Sequence, residues 1–180
     1  MNFYKYFTIL FLFFFSSCKS TFQETSEYKK HSIIIKKGEI EGVIFRKEYD
    51  CIFCSLGENR YTPVIEDVNL AEEILAKNIK IINNPRYNQG DGCPIIHKNL
   101  KNYRRQYFGN IDRDGNKILF INFTWARFTI IDWLQGYEKD KSDNWKTEMT
   151  AVLDGCSNHW SIEVNLTKES LQNLMVNGQG

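Results

Sequence analysis

The sequence lacks an excess of charge of either sign. Its 180 residues include 23 basic and 22 acidic side chains. Lys5 is the only charged residue among the first 17, so the rest of the chain carries 22 of each sign. Proteins that bind nucleic acid electrostatically usually show a strong basic surplus. The charge balance therefore predicts that nucleic acid is not a partner.

Proline and familiar catalytic motifs are scarce as well. The chain has 3 prolines and 11 glycines, which argues against a fibrous or low-complexity protein. No Gly-x-Ser-x-Gly, glycine-rich phosphate loop or His-Glu-x-x-His occurs. Beyond residue 17 no apolar run approaches the roughly 20 residues that a membrane-spanning helix needs. We therefore predict no catalytic residue, no metal site and no cofactor.

What the sequence does contain is a short, mostly apolar run at its start. Residues 7–15 form this run, Lys5 precedes it, and Ser16 and Ser17 lead into Cys18. The run is too short to span a membrane and fits an export signal. The small residues before the cysteine resemble the lipobox of bacterial lipoproteins, a resemblance that covers only the first 18 residues.

The lipoprotein resemblance implies an address rather than an activity. Residues 1–17 would be removed as a signal peptide, and the thiol of Cys18 would carry a diacylglycerol whose chains, such as palmitate, enter a membrane. The expected location is the bacterial cell envelope, on either the inner or the outer membrane. The polar residues 18–31 are predicted to be a flexible tether, and 32–180 a single globular domain.

The clearest helix is predicted to begin at Thr62, as the N-cap, and Pro63. Its apolar residues recur at steps of three or four and form one stripe: Val64, Val68, Ala71, Leu75, Ile79 and Ile82. Pro85 is expected to end the helix, because proline cannot continue it. A single stripe predicts that the helix packs against a sheet.

Alternating residues predict several strands after this helix. Residues 103–112 and 117–126 flank a turn at Arg113–Gly115, in a register that pairs Tyr107 with Ile121. Further strands are predicted over residues 146–153, 158–166 and 171–176. Two earlier β-type runs, 33–35 and 43–45, are compatible with a hairpin. The element order predicts an α+β fold, with one long N-terminal helix on an antiparallel sheet of about four to five strands, in a cystatin-like or NTF2-like arrangement.

Four cysteines remain after Cys18, and an exported protein can keep disulfides. They allow three pairings. We favour Cys51–Cys54 as a local clip and Cys93–Cys156 as a long-range link. The spacing of Cys51 and Cys54 also suits a thiol-redox pair, but no helix is predicted to begin there, so a structural role is favoured. A four-cysteine zinc site is weakly supported, because Cys93 and Cys156 stand alone.

Three further patterns receive structural interpretations. Asp112–Asn116 resembles the start of an EF-hand calcium loop, but Lys117 and Phe123 stand where its glycine and glutamate belong, so we reject calcium. His97 and His159 have no catalytic partner at a recognisable spacing. A basic and aromatic group is interpreted as a solvated face or strand edge: Lys98, Lys101, Tyr103, Arg104, Arg105 and Tyr107.

The function expected from these patterns is binding. We predict a lipid-anchored, non-enzymatic module of the cell envelope that holds a partner protein or an envelope ligand on the concave face of its sheet. One alternative is an envelope enzyme, either a thiol-redox protein using Cys51 and Cys54 or one with a histidine-containing pocket. A second alternative is an inhibitor or immunity-type protein.

Overall fold

The computed structural model describes residues 20–51, 56–57, 59–136, 138 and 141–178. Eight strands form one sheet: β1 (Gln23–Lys29), β2 (Ser32–Lys37), β3 (Ile40–Phe45), β4 (Arg60–Tyr61), β5 (Tyr103–Ile111), β6 (Lys117–Trp125), β7 (His159–Asn165) and β8 (Ser170–Val176). Three helices accompany them: α1 (Ile65–Ile82), α2 (Ile96–Asn99) and α3 (Ile130–Leu134). Short 3-10 turns lie at Leu100–Asn102, Asn144–Lys146 and Cys156–Asn158.

The sheet is mixed. Its strand order is β1-β2-β3-β5-β6-β7-β8, and the two-residue β4 pairs with the far part of β5. β3 and β5 run parallel, whereas the other pairs are antiparallel. Parallel neighbours need a long crossover. That crossover contains β4 and α1, so the helix follows four strands and lies over one face of the sheet.

The sheet has two ends along its strands, the cleft end and the hairpin end. The cleft end comprises the starts of β1, β3, β5 and β7 and the ends of β2, β6 and β8. This follows from the pairing of Gln23 with Lys36, Tyr103 with Trp125, and Trp160 with Val176. The hairpin end is opposite and includes the turns at residues 112–116 and 166–169.

The predicted helix is confirmed, with a shifted start. α1 begins at Ile65, two residues after Pro63, and the carboxylate of Asp67 accepts a hydrogen bond from the Val64 N–H at 3.3 Å. It ends at Ile82, as Pro85 predicts. The stripe residues Val68, Ala71, Leu75 and Ile79 are buried. They pack on the sheet face formed by inward residues of β2, β3, β5, β6 and β7.

A second, smaller core lies on the other face of the sheet. It contains Ile34, Val43, Phe45, Phe108, Phe120 and Trp145. Phe45 and Phe108 stack with ring centroids 4.6 Å apart. Trp145 comes from the loop after α3, and Tyr49 and Met149 pack against the edge of this core. In the part of the chain that the structure describes, both faces of the central strands are therefore covered.

The strand predicted over residues 146–153 is wrong. The side chain of Gln106 donates to the carbonyls of Trp145 (2.6 Å) and Glu148 (2.7 Å) and accepts from the Thr150 N–H. Asn122 donates to the Thr150 carbonyl at 2.8 Å. These side chains point out of β5 and β6 and satisfy the backbone of the segment across the sheet face. Side-chain hydrogen bonds thus replace a strand ladder.

The predicted fold class is also wrong. The helix is not N-terminal, and the sheet has eight strands with one parallel pair instead of about four to five antiparallel strands. The runs that form β2 and β3 are compatible with a hairpin, but nothing near them in the sequence joins them to the later strands. Because 57 residues separate β3 from β5, no local sequence pattern indicates that these two strands pair.

Residues 20–31 form part of the domain rather than a tether. β1 pairs with β2, and Phe22 is buried at 2 % exposure. The Phe22 N–H donates to Asn69 Oδ1 at 2.7 Å, and the Asn69 amide donates back to the Phe22 carbonyl at 3.1 Å. The tether prediction is wrong for residues 20–31, because Phe22 anchors this otherwise polar segment to α1. Cys18 itself lies outside the described residues.

Four of the predicted strands are confirmed. β5 and β6 adopt the predicted register, with Tyr103 opposite Trp125, Tyr107 opposite Ile121 and Gly109 opposite Leu119. β7 buries the predicted alternating residues, including Trp160 and Ile162. β8 includes all residues of the predicted last strand, 171–176. Within the described part of the chain, the helices are all too short or too polar to cross a bilayer.

Candidate functional site

An open cleft of about 940 Å³ lies at the cleft end, beside the end of β6 and the start of β7. Its lining combines an aromatic ring with charged and amide side chains. The lining residues are Gly92, Cys93, Pro94, Asn99, Trp125, Arg127, Thr129, Asp132, Asn158 and His159. Such a mixture of one apolar surface with convergent polar groups is typical of a ligand site.

One wall of the cleft is fixed by the Cys93–Cys156 disulfide, which confirms the predicted long-range pair. It joins the loop after α1 to the 3-10 turn before β7. The Tyr103 hydroxyl donates to the Ser157 carbonyl at 2.8 Å, and the Ser157 N–H donates to the Asn88 carbonyl at 3.2 Å. Loop and turn are thus held together covalently and by hydrogen bonds, so this wall is preorganised.

The aromatic surface of the cleft comes from Trp125, the last residue of β6. Trp125 is half-buried and packs edge-on against Tyr103, with ring centroids 5.1 Å apart. Arg127 follows two residues later and is exposed. Arg127 also lines a second groove of about 450 Å³, together with Ile40, Lys101 and Phe128. Arg127 therefore borders both depressions.

Asp132 is held in place at the start of α3. Its Oδ2 accepts hydrogen bonds from the Thr129 N–H and hydroxyl, each at 2.6 Å. The Thr129 hydroxyl in turn accepts from the Asp132 N–H at 3.2 Å, which completes a capping box. The hydrogen bonds from Thr129 lower the pKa of Asp132, and Arg127 lowers it further. Asp132 is therefore an ionised structural cap that shows a negative charge to the cleft.

His159 is half-buried at the start of β7. Burial lowers the pKa of its imidazole, so the ring is neutral at pH 7. Gly155 lies against this ring and adopts a left-handed φ of +95°; a Cβ there would approach His159 Cδ2 to 3.0 Å. The glycine thus allows both the turn and the close approach. A neutral imidazole here can donate and accept hydrogen bonds to a ligand.

His97 lies outside this cleft. Its Nδ1 is 3.2 Å from the amide of Asn83, which exchanges hydrogen bonds with Gln89. Burial lowers the pKa of His97, and nearby Arg86 lowers it further. The ring therefore belongs to a polar network that fixes the loop after α1.

The basic and aromatic group around β5 is divided between the two sheet faces. Tyr103, Arg105 and Tyr107 are buried under α1, whereas Arg104 lies over the Trp145 ring at 5.0 Å on the other face. The interpretation as one solvated face or edge is wrong, because β5 is a central strand. Lys98 and Lys101 are exposed near the cleft end.

Arg105 is the most deeply placed charge of that group. Its Nε donates to Glu72 Oε1 at 2.9 Å, and the Tyr107 hydroxyl donates to the same oxygen at 2.9 Å. Burial acts to lower the pKa of Arg105, but Glu72 and Tyr107 together outweigh it and the pKa is raised. The buried pair links α1 to the centre of the sheet. The pair therefore serves the fold.

The remaining predicted residues do not form a site in the described part of the chain. Cys51 is disulfide-bonded and its sulfur lies 3.3 Å from that of Met149, whereas Cys54 is outside the described residues. Asp112 accepts hydrogen bonds from the N–H groups of Asp114 and Asn116, so this segment is the predicted hairpin turn. No group of three or more potential metal-ligating side chains occurs among the described residues.

Sequence reasoning finds His159 and the disulfide but misses the rest of the cleft. The alternating pattern places Trp125 only on the apolar strand face, and it does not single out Arg127 or Asp132. One signal is present: Thr129 and Asp132 have the spacing of a capping box before an apolar run. Comparisons of this chain with protein-family models, with curated proteins and with solved structures found no match in any of the three.

Proposed function

We propose that this protein is a lipid-anchored binding protein of the bacterial cell envelope whose cleft takes a glycan. The observation that carries the ligand class is the composition of the cleft. An indole surface lies beside amide, imidazole, carboxylate and guanidinium groups, all at an open depression of about 940 Å³. The lipidation of Cys18 rests on the export signal and the Ser16–Ser17–Cys18 sequence.

A glycan suits this cleft because sugars are polar at their hydroxyls and apolar on their C–H faces. The Trp125 ring offers an apolar surface for such a face. Asp132 and neutral His159 offer hydrogen-bond acceptors, and Arg127 and the Asn158 amide offer donors. The opposite charges of Arg127 and Asp132 suit a neutral or mixed polar ligand better than a polyanion.

The enzyme alternative is less well supported by the same groups. His159 and Asp132 share the cleft, but Asp132 Oδ2 is committed to the α3 cap and Cys93 is oxidised. Thr129 also supplies a hydroxyl to the cleft, but this hydroxyl exchanges hydrogen bonds with Asp132. A nucleophile with its own base is therefore missing from the described cleft lining. The redox alternative depends on Cys54, which lies outside the described residues.

Mass spectrometry of the mature protein tests the anchor. We expect the N-terminal peptide of protein purified from bacterial membranes to begin at Cys18 and to carry the mass of a diacylglycerol. Cys18→Ser must abolish that mass. A mature chain that begins elsewhere, or an unmodified Cys18 peptide, contradicts the lipid anchor without bearing on the cleft.

Calorimetric titration with soluble peptidoglycan fragments and with outer-membrane oligosaccharides tests the ligand. We expect one of these glycans to bind, and Trp125→Phe and Arg127→Ala to weaken binding. Arg113→Ala, which removes an exposed arginine at the hairpin end, is the matched control and should bind normally. The glycan proposal fails if neither glycan binds, or if Arg127→Ala and Arg113→Ala behave alike.

A further inference from the structure

Exposed apolar side chains are concentrated at one end of the molecule. Of the twelve large apolar side chains exposed in the described part of the chain, nine lie at the cleft end: Ile81, Tyr87, Ile130, Ile131, Trp133, Leu134, Val152, Leu153 and Met175. Four of these belong to α3, a helix of five residues. Soluble surfaces rarely gather so many large apolar groups, and such patches usually mark a contact with a protein or a membrane.

α3 presents these side chains on a fixed support. Ile130, Ile131, Trp133 and Leu134 are 65 to 77 % exposed, whereas Asp132 turns inward to cap the helix. Phe128 lies just before α3 in the chain. It lines the groove of about 450 Å³ together with Arg127 and Lys101. A tryptophan with branched aliphatic neighbours and nearby basic groups is the composition of a segment that enters a bilayer interface.

The start of the domain places a membrane close to this end. β1 starts at the cleft end, and Ser20 lines a depression together with Lys37, the last residue of β2. Cys18 precedes the first described residue, Ser20, by two positions, a reach of about 7 Å at most. A lipid on Cys18 therefore has almost no tether. α3 emerges from β6, four strand spacings from β1, or about 19 Å along the sheet.

From this geometry we infer that α3 enters the same bilayer that holds the lipid on Cys18, so that the cleft end faces the membrane surface. The inference rests on the proposed lipid anchor. The anchor holds the domain against the bilayer, and Trp133 and Leu134 fix its orientation by entering the interface. The glycan cleft then opens beside the headgroups, where Arg127 reaches anionic lipid as well as ligand.

Fluorescence quenching by brominated lipids tests this orientation. The lipidated protein is placed in vesicles of phosphatidylethanolamine and phosphatidylglycerol with bromine on the acyl chains. We expect strong quenching of the wild-type emission, and its loss in Trp133→Phe. A matched reporter at the other end is Trp133→Phe combined with Tyr28→Trp, since Tyr28 is 54 % exposed on β1 near the hairpin end. That reporter should remain unquenched.

The two proposals fail in distinguishable ways. An N-terminal peptide without lipid overturns the anchor and the inference together. A lipidated protein in which Trp133 is unquenched, or in which the Tyr28→Trp reporter is quenched equally, overturns only the orientation. A lipidated protein whose α3 instead pairs with a second copy also overturns it. Such pairing would appear as a dimer in detergent that Trp133→Ser dissociates.

A second arm measures the binding strength contributed by α3. The double variant Trp133→Ser and Leu134→Ser should leave the membrane faster than the wild type. A larger share of the lipidated protein should then move from loaded to acceptor vesicles in a given time. The expected effect is at least roughly a tenfold faster transfer, because leaving even one Leu-sized side chain in water already corresponds to that change. Equal transfer rates for the wild type and the double variant contradict the insertion of α3.

Discussion

The two ends of the sheet are built for different purposes. At the hairpin end the turns are closed by polar side chains: Asp112 accepts from Asn116, Asn165 accepts from the Lys168 N–H, and Thr167 accepts from the Lys117 N–H. At the cleft end a disulfide and short helices support an open cleft and exposed apolar residues.

This difference distinguishes the side chains that folding requires from those that it does not require. Every polar contact just named at the hairpin end satisfies backbone or side-chain groups of the turns themselves. The exposed side chains of α3 fill no part of either core, so folding does not explain them. The cleft end therefore carries the surface available for function, and variants at the two ends should affect different measurements.

The largest expected effect is the loss of the disulfide at the cleft end. Cys93→Ser with Cys156→Ser opens a link between residues 63 positions apart, which should lower the free energy of unfolding by about 4 kcal/mol in the chain-entropy model. Chemical denaturation measures this. Glycan binding should weaken as well, because one wall of the cleft loses its fixed position. An unchanged denaturation midpoint would contradict the structural role of the link.

Gly109→Ala should disturb the hairpin end without changing the cleft. A Cβ at Gly109 would lie 2.6 Å from the Tyr61 carbonyl oxygen, a backbone atom of β4 that has little room to move. We expect a loss of about 1–3 kcal/mol, the usual range for overpacking. Gly178→Ala is the control, since its Cβ would meet nothing within 4 Å. Equal denaturation curves for both variants would show that β4 yields easily.

Acidification should weaken the cleft end through its histidines. Burial lowers the pKa of both His97 and His159 below the ordinary value of 6.5. The unfolded chain therefore binds protons first as pH falls, so stability is full above about pH 6.5 and declines below it toward the folded pKa values.

The decline is shallow, because both imidazoles remain partly in contact with solvent, which keeps their pKa shifts small. Unfolding measured from pH 7.5 to pH 5 should show the decline, and His159→Gln should flatten it. A free energy of unfolding that increases as the pH falls would contradict the lowered pKa values of these two histidines.

Trp133→Ser should have the smallest effect on stability. The ring is 66 % exposed and belongs to neither core, so the change in unfolding free energy should stay within about 0.5 kcal/mol. Its effect should appear instead in membrane quenching and vesicle transfer. A large drop in thermal stability would mean that α3 supports the fold, and would remove the reason to assign it to the membrane.

Local features of this fold were predictable from the sequence, whereas long-range pairings were not. The β5–β6 register follows from the turn at Gly115 and alternating apolar residues, and the α1 stripe follows from helical periodicity. The parallel β3–β5 pair joins segments separated by α1 and leaves no local signal. β1 was not predictable because only Phe22 anchors an otherwise polar edge strand.

The candidate site was predictable only in part, for a similar reason. The Cys93–Cys156 link was predictable because few cysteines were available to pair. The cleft itself forms where the end of β6, the start of β7 and the loop after α1 converge, so its residues are distant in sequence. The exposure of Trp133 and Leu134 was not predictable either, since apolar residues in a sequence are normally expected in a core.

Hydrogen exchange on the lipidated protein tests the central claim most directly. Amide exchange is compared between protein in detergent and protein in vesicles, peptide by peptide. We predict slower exchange over residues 127–136 in vesicles and unchanged exchange over 111–117 at the hairpin end. Slower exchange at the hairpin end, or none at α3 while Cys18 carries its lipid, would contradict a membrane-facing cleft end.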